Sequence, residues 1–168
     1  MRWIWLGGIT DIYNITFSNC IAWGGYARCF GITGEVNKSI SDVTFRDCAV
    51  IYRDGIWDND RIGSLVVVAE QTKGSIDGVL FENIEIFRDE GRPILVKIYD
   101  EDAENFEIKN VVFRNISYTS YMKPKIAGTD SKTNTVQVNL DGITVCGRKQ
   151  QFPKTMFNIG KYCEVTSD

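Results

Sequence analysis

The chain has 168 residues, of which 43% are hydrophobic, and it carries a net charge of −3. This length predicts one globular domain with a sizeable core, and an acidic balance without a basic cluster argues against nucleic-acid binding. The chain contains no run of about eighteen apolar residues, so no transmembrane helix is predicted. Because the chain contains no histidine, Ser-His-Asp, Cys-His and histidine–metal sites cannot lie within it.

A short phrase recurs five times along the chain. Its copies lie at residues 12–20, 40–48, 76–84, 108–116 and, in a shorter form, 138–145. The aromatic marker of each copy, replaced by leucine in the last, recurs at spacings of 28, 36, 32 and 27 residues. The markers are Phe17, Phe45, Phe81, Phe113 and Leu140. Repeats of uneven length predict a β-helix, since each coil can place its extra residues in outward loops.

Each copy of the phrase has the pattern of a strand followed by a corner. Apolar residues alternate with polar ones, as in Val43 and Phe45, which predicts a strand with one buried face. The alternation then breaks at an amide or acid in each of the first four copies, namely Asn19, Asp47, Asn83 and Asn115. Asn and Asp accept left-handed backbone. We therefore expect these residues to form the corners of successive coils and to stack as an Asn/Asp ladder.

A second set of strands lies between the phrases, at residues 29–32, 65–68, 94–98 and 125–127. These runs are rich in β-branched residues and are bounded by Gly, Asp and Asn. We expect Ile32, Val68 and Ile98 to stack inward. The whole pattern predicts an all-β protein, a parallel β-helix or solenoid of about five coils. We expect the β-helix to form a single domain over residues 1–168, with 147–168 as a C-terminal tail or cap.

The N-terminal end carries two further expectations. Residues 1–8 are too short and turn polar too soon for a signal peptide, so we predict no export signal within the chain and leave its compartment open. The first coil follows almost at once with little to cap it. Because an uncovered strand edge invites pairing, we expect self-association through this edge of the N-terminal coil.

The rungs resemble those of a known superfamily. Residues 14–20 and 42–48 are similar to the N-V-T-F-x-N-C rungs of the pectin-lyase-like proteins. Residues 27–35, 125–130, 138–147 and 157–162 resemble further rungs of the polygalacturonase-like proteins, glycoside hydrolase family 28, in their C-terminal half. The resemblance implies a right-handed parallel β-helix, the C-terminal part of a longer one. It also implies a glycoside hydrolase, or a fragment of one, that acts on a polysaccharide or oligosaccharide. The family is often secreted.

The family's catalytic signature does not carry over to this chain. It contains no Asn-Thr-Asp, no paired Asp-Asp and no Gly-His-Gly, and residues 92–97 are only a stretched version of Arg-Ile-Lys. Hydrolysis of a glycosidic bond therefore stays one hypothesis. The alternatives are a non-catalytic β-helix that binds glycans or serves as a structural module, and a fragment without activity of its own.

Two glutamates form the candidate catalytic pair. Glu35 and Glu70 end adjacent strands of the second set. Equivalent positions lie about 4.8 Å apart in neighbouring coils and about 9.6 Å apart two coils on. Retaining glycosidases need carboxyls roughly 5–5.5 Å apart, and inverting ones need roughly 6.5–9.5 Å. Glu35 and Glu70 are therefore predicted to be catalytic, with solvated or arginine-paired carboxylates as the alternative.

Substrate-binding residues are predicted from loops and strand ends. Trp57, Asp58 and Asp60 lie in the longest insertion, where an aromatic face and acids suit a sugar ring and its hydroxyls. The cationic residues Arg28, Arg92 and Lys97 suit acidic sugars such as uronates, since their hydrogen bonds to carboxylates are charge-assisted. The alternative for both groups is an ordinary exposed surface.

The five cysteines match no zinc pattern, and no metal or cofactor is predicted. Cys20 and Cys48 hold the same place in successive copies. We expect a stack of small buried thiols there. A disulfide between the two coils is the alternative, and its geometry is demanding.

Overall fold

A computed structural model describes residues 4–6, 10–35, 37–54, 61–120 and 122–167, and of residues 4–6 it describes only the backbone. The strands are β1 (Ile4–Leu6), β2 (Ile12–Ser18), β3 (Ile21–Gly25), β4 (Arg28–Gly34), β5 (Ile40–Arg53), β6 (Gly63–Ala69), β7 (Ser75–Asp89), β8 (Ile94–Ile98), β9 (Glu107–Ser120), β10 (Lys125–Ala127), β11 (Thr135–Asp141), β12 (Thr144–Val145), β13 (Arg148–Lys149), β14 (Asn158–Ile159) and β15 (Cys163–Ser167). A short 3-10 helix spans Pro153–Met156.

The strands wind through two sheets. Sheet A has the order β1-β4-β6-β8-β10-β14. In sheet B, β2, β5, β7 and β9 are successive neighbours, β3 also pairs with β5, and β11 pairs with β9 and β15. Coils one to five begin at β2, β5, β7, β9 and β11, and each then crosses to sheet A. The chain is a nearly all-β parallel solenoid of about five turns, which confirms the predicted fold class.

The predicted Asn/Asp ladder is present at one corner. The backbone is left-handed there in five coils, with φ between 51° and 67°, at Asn19, Asp47, Asn83, Asn115 and Gly142. The Nδ2 of Asn83 donates to Asp47 Oδ1 at 3.0 Å, and the Nδ2 of Asn115 donates to Asn83 Oδ1 at 3.1 Å. The corner is thus stabilised by hydrogen bonds that run from coil to coil.

A second left-handed column lies five residues before the first. This column was not predicted, although residues of the same types form it. They are Asn14, Asp42, Gly78 and Asn110, with φ between 53° and 71°. At Gly78 a side chain would meet the Asp42 carboxylate, since a Cβ there would lie 3.1 Å from Asp42 Oδ1. Each of the first four sheet B segments therefore bends twice, so that it wraps around the core.

The aromatic markers form the centre of the core, as predicted. The rings of Phe17, Phe45, Phe81 and Phe113 stack at centroid distances of 5.1, 5.0 and 5.0 Å. Leu140 lies opposite Phe113 in the register and continues the column. Burial of each such side chain contributes roughly 1.5–3 kcal/mol.

The expected inward column of sheet A was wrong at Val68 in coil two. Ile98 in coil three points inward as expected, but it lies level with Ala69, two residues beyond the position that aligns with Ile32. Ile32 aligns with Val67, Val96 and Ile126, and these four lie in the main core. Val68 instead points outward, level with Thr33 and Lys97. The sequence could not show this, because residues 65–68 are all apolar and β6 is buried on both faces.

A buried ion pair lies at the corner where sheet B leads into sheet A. Arg53 donates to Asp89 Oδ1 from Nε at 2.9 Å and from Nη2 at 2.6 Å, and both side chains are 0% exposed. Ser64 Oγ donates to Asp89 Oδ2 at 2.6 Å, and the Gly91 amide donates to Oδ1 at 2.7 Å. Every described contact of this carboxylate is thus charge-assisted.

The predicted C-terminal tail or cap, residues 147–168, takes part in both sheets over its described residues, which end at 167. Strand β14 pairs with β10 in sheet A, and β15 pairs with β11 in sheet B. The tail therefore completes coil five and starts another. Across the described residues, no helix is both long and apolar enough to span a membrane.

Candidate functional site

The outer surface of sheet A brings together three of the predicted site residues, Arg28, Glu70 and Lys97. Val66, Val68 and Leu95 form an apolar floor that is fully buried and separate from the main core, and Tyr99 packs against it. We call this floor, together with the polar side chains around it, the sheet A face. Its polar members are Arg28, Thr33, Arg61, Glu70, Lys97 and Tyr99.

Arg28 connects the polar groups on one side of the sheet A face. Its Nη2 donates to Glu70 Oε1 at 2.9 Å, its Nη1 to Thr33 Oγ1 at 2.5 Å, and its Nε to the Arg61 carbonyl at 3.2 Å. The Arg28 and Glu70 side chains are 17% and 27% exposed. The ion pair is therefore partly buried, yet a ligand on the surface can reach both partners.

The two candidate catalytic glutamates follow paired strands. Gly34 aligns with Ala69, and the Glu70 amide donates to the Gly34 carbonyl at 2.7 Å. Glu35 and Glu70 therefore occupy the same position in coils one and two, as their place at the strand ends predicted. Glu35 is exposed, whereas Glu70 is held by Arg28. Their catalytic role stays a prediction.

Tyr99 takes that same position in coil three. Its amide donates to the Ala69 carbonyl at 2.8 Å. The Lys97 Nζ lies 4.2 Å from the centre of its ring, and the Arg61 guanidinium carbon lies 5.3 Å from it. Both distances suit cation–π attraction, worth roughly 0.5–1 kcal/mol at exposed sites. The ring thereby holds two cations at the edge of the apolar floor.

Arg92 lies beneath the surface rather than on the sheet A face. The register places it in coil three where Gly63 lies in coil two and Arg28 in coil one. It is 6% exposed, and its Nη1 donates to the Lys123 carbonyl at 2.5 Å. The predicted role of Arg92 in substrate binding remains a prediction, and this contact indicates a structural role beside it.

The predicted sugar-facing loop lies outside the described residues. Trp57, Asp58 and Asp60 fall within the undescribed residues 55–60. Their predicted role stays a prediction. Arg61, which follows them directly, belongs to the sheet A face.

Three members of the sheet A face were missed in the sequence. None of Thr33, Arg61 and Tyr99 was predicted to be a site residue. Comparison of equivalent positions in successive coils could have identified Tyr99, because it directly follows β8 as Glu70 directly follows β6. Arg61 has no such signal, since its position depends on the loop before it.

The sheet A face carries an excess of positive charge. Arg28, Arg61 and Lys97 contribute three cations, against the one carboxylate among its members, that of Glu70. Glu35, which follows the neighbouring strand β4, adds a second carboxylate beside the face. Arginine in particular can bind a carboxylate with two parallel hydrogen bonds. Within the described part of the chain, no group of three or more Cys, Asp and Glu residues is arranged to hold a metal ion.

Comparison of the chain with protein-family models, with curated proteins and with solved structures finds no match.

Proposed function

We propose that the chain is a carbohydrate-recognising β-solenoid that binds an acidic oligosaccharide or polysaccharide on the sheet A face. One observation carries the proposal: three cations lie around a single apolar floor. They are Arg28 of coil one, Lys97 of coil three and Arg61, which precedes strand β6 of coil two. The resemblance of the rungs to polygalacturonase-like proteins supports the same class of ligand.

The charges favour an acidic sugar over a neutral one. The chain as a whole carries −3, so a local surplus of cations on the sheet A face stands out against the remaining surface. Such a surplus raises the local concentration of anionic ligands and speeds their association. The carboxylate of a uronic acid would meet Arg28 and Lys97, while Thr33 and Glu70 would bind sugar hydroxyls.

Calorimetric titration with a purified oligogalacturonate tests the proposal, and its fully methyl-esterified form serves as the uncharged control. We expect binding of the acid form, weaker binding of the ester, and weaker binding of the acid form as salt increases. Lys97→Met and Arg28→Gln should each weaken binding about tenfold or more, which corresponds to about 1.4 kcal/mol. Lys109→Met, on sheet B, is the matched control and should leave it unchanged.

Two outcomes count against the proposal. A folded protein that binds neither form at millimolar concentration does not recognise this class of glycan. Equal binding by the parent, Lys97→Met and Arg28→Gln would move the site away from the sheet A face.

A second candidate function is hydrolysis of the bound glycan. The register favours it, because Glu35 and Glu70 occupy equivalent positions in adjacent coils, whose backbones lie about 4.8 Å apart. Side chains that start at this backbone spacing can bring their carboxyls to the roughly 5–5.5 Å that retaining glycosidases need. Incubation with the oligogalacturonate, followed by detection of new reducing ends, tests this directly. Glu35→Gln and Glu70→Gln should each abolish product while binding persists. Product release that survives both substitutions would exclude this pair.

A further inference from the structure

We infer that Cys20 and Cys48 are an oxidisable pair, which a low-molecular-weight disulfide converts into a covalent link between coils one and two. This inference does not depend on the proposed function. It concerns the opposite side of the solenoid, at the corner formed by the Asn/Asp ladder.

The register brings the two cysteines side by side. Ile21 aligns with Ala49, and the Ala49 amide donates to the Cys20 carbonyl at 2.9 Å. Cys20 and Cys48 therefore hold matching positions in neighbouring parallel segments, which lie about 4.8 Å apart. Disulfides typically join residues whose Cα atoms are roughly 4.4–6.8 Å apart. The backbone spacing thus permits the bond without a large movement.

The two thiols also share one orientation. The Sγ of each donates to the carbonyl two residues earlier, from Cys20 to Ser18 at 3.4 Å and from Cys48 to Arg46 at 3.1 Å. Burial raises the pKa of the Cys48 thiol, and the charge and hydrogen bonds of Cys20 act on that pKa as well. The sulfur atoms are therefore neighbours, and a rotation of either side chain about its Cα–Cβ bond can bring them together.

A small reagent can reach the pair from solvent. Cys20 and Cys48 both line a groove of about 670 Å³ that runs along the ladder corner. Cys20 is partly exposed, whereas Cys48 is 5% exposed. In coils three and four the same column holds Ile84 and Ile116, so the column offers thiols only in its first two coils.

The reaction needs one disulfide as oxidant, such as oxidised glutathione. The Cys20 thiolate attacks one sulfur of the reagent and releases the first glutathione thiolate, which leaves a mixed disulfide at Cys20. The Cys48 thiol then loses its proton, attacks Cys20 Sγ and displaces the second glutathione. The protein loses two protons and two electrons in all, and the reagent is reduced to two thiols.

The link would restrain the coil at the edge of sheet B. Coil one joins β2 and β3 in sheet B to β4 in sheet A, and the segment between Cys20 and Cys48 contains β4. A cross-link that closes this segment reduces the freedom of the unfolded chain. Coil one should therefore open less often once the bond has formed.

The experiment treats the reduced full-length chain with oxidised glutathione and maps the products by mass spectrometry after trypsin digestion. Cys146→Ser serves as background, because Cys146 is exposed and could join two molecules. We expect the peptide containing Cys20 to be linked to residues 47–53, with the loss of two hydrogens from the intact mass. Hydrogen exchange should slow in residues 12–25, and the Tm should rise by several degrees and return after reduction.

The controls distinguish this pair from other thiols. Cys20→Ser and Cys48→Ser should each abolish both the linked peptide and the Tm rise, whereas Cys163→Ser should preserve them. A mixed disulfide that persists at Cys20, or a link that involves another cysteine in preference to Cys48, would overturn the inference. So would a protein in which all four remaining thiols stay reduced after treatment with oxidised glutathione.

Discussion

Replacement of Asp89 by asparagine should remove much of the stability of this solenoid. The change keeps the shape of the side chain but removes the charge opposite Arg53, whose side chain is 0% exposed. Loss of one partner from a buried ion pair destabilises a protein by about 3–5 kcal/mol, because it leaves an uncompensated charge. The total free energy of unfolding of a native domain is about 5–15 kcal/mol.

The magnitude follows from the contacts of the carboxylate. Asp89 accepts four hydrogen bonds, two from Arg53 and one each from Ser64 and the Gly91 amide. Bonds to charged groups each contribute about 1.5–3 kcal/mol, and an asparagine retains some of them in weaker form. We therefore expect Asp89→Asn to lower the free energy of unfolding by about 3 kcal/mol or more.

Urea titration followed by tryptophan fluorescence and circular dichroism measures the change. With a urea slope of about 2 kcal/mol/M, the midpoint should fall by about 1.5 M. Arg114→Met, which breaks the exposed pairs with Glu82 and Asp141, is the control and should cost no more than about 1 kcal/mol. Arg53→Met combined with Asp89→Leu should lose less than Asp89→Asn alone. If Asp89→Asn behaved like the exposed control, the corner would not hold a desolvated charge pair.

Three further predictions concern the ladder, a core hydroxyl and a buried thiol. Asn83→Ala should lose about 1–2 kcal/mol in urea titration, because alanine tolerates left-handed backbone poorly, and Asn83→Gly should lose less; equal losses would refute the backbone argument. Tyr118→Phe should raise the free energy of unfolding by about 1 kcal/mol, since its buried hydroxyl has no hydrogen-bond partner within the described structure; a loss on thermal or urea unfolding would contradict this. Burial raises the pKa of the Cys29 thiol from 9.0 to about 12, so the folded state keeps a proton that the unfolded state releases above pH 9. Stability should therefore fall between pH 9 and 12, and Cys29→Ala should flatten that part of the urea-midpoint profile; an unchanged slope would show that other groups cause it.

The features of the fold that recur in every coil could be predicted from the sequence. The Phe column and the ladder at Asn83 and Asn115 each depend on one residue type at one place in the phrase, so repetition made the signal visible. The alignment of Glu35 with Glu70 could be predicted for a related reason, since both directly follow a strand of the second set.

Features that occur once in the chain were harder to predict. The register of β6 was wrong because its two faces are both buried, which removes the alternation that reveals a strand's inner side. The burial of Arg53 was not predicted, since arginine is rarely buried. A signal was available, since Arg53 and Asp89 are 36 residues apart, the same spacing that separates the aligned Phe45 and Phe81.

The candidate site was predicted in part for a physical reason. Arg28, Glu70 and Lys97 lie on or beside strands of sheet A, where the repeat pattern defines their position. The place of Arg61 depends on the course of a loop, and its cation–π contact with Tyr99 joins residues 38 positions apart with no shared pattern. The repeat pattern shows which residues align from coil to coil, and it carries no information on the contacts of residues in loops.

The unequal lengths of the coils have a consequence for how the chain tolerates insertions. Strands β5 and β7 align from Ile40 and Ile76 to the buried pair, Arg53 and Asp89. In sequence, nine residues then separate β5 from β6, whereas four separate β7 from β8. Sequence can thus be gained or lost at this corner without any rearrangement of the interior. The outline of the surface at this corner is therefore set separately from the packing of the two sheets.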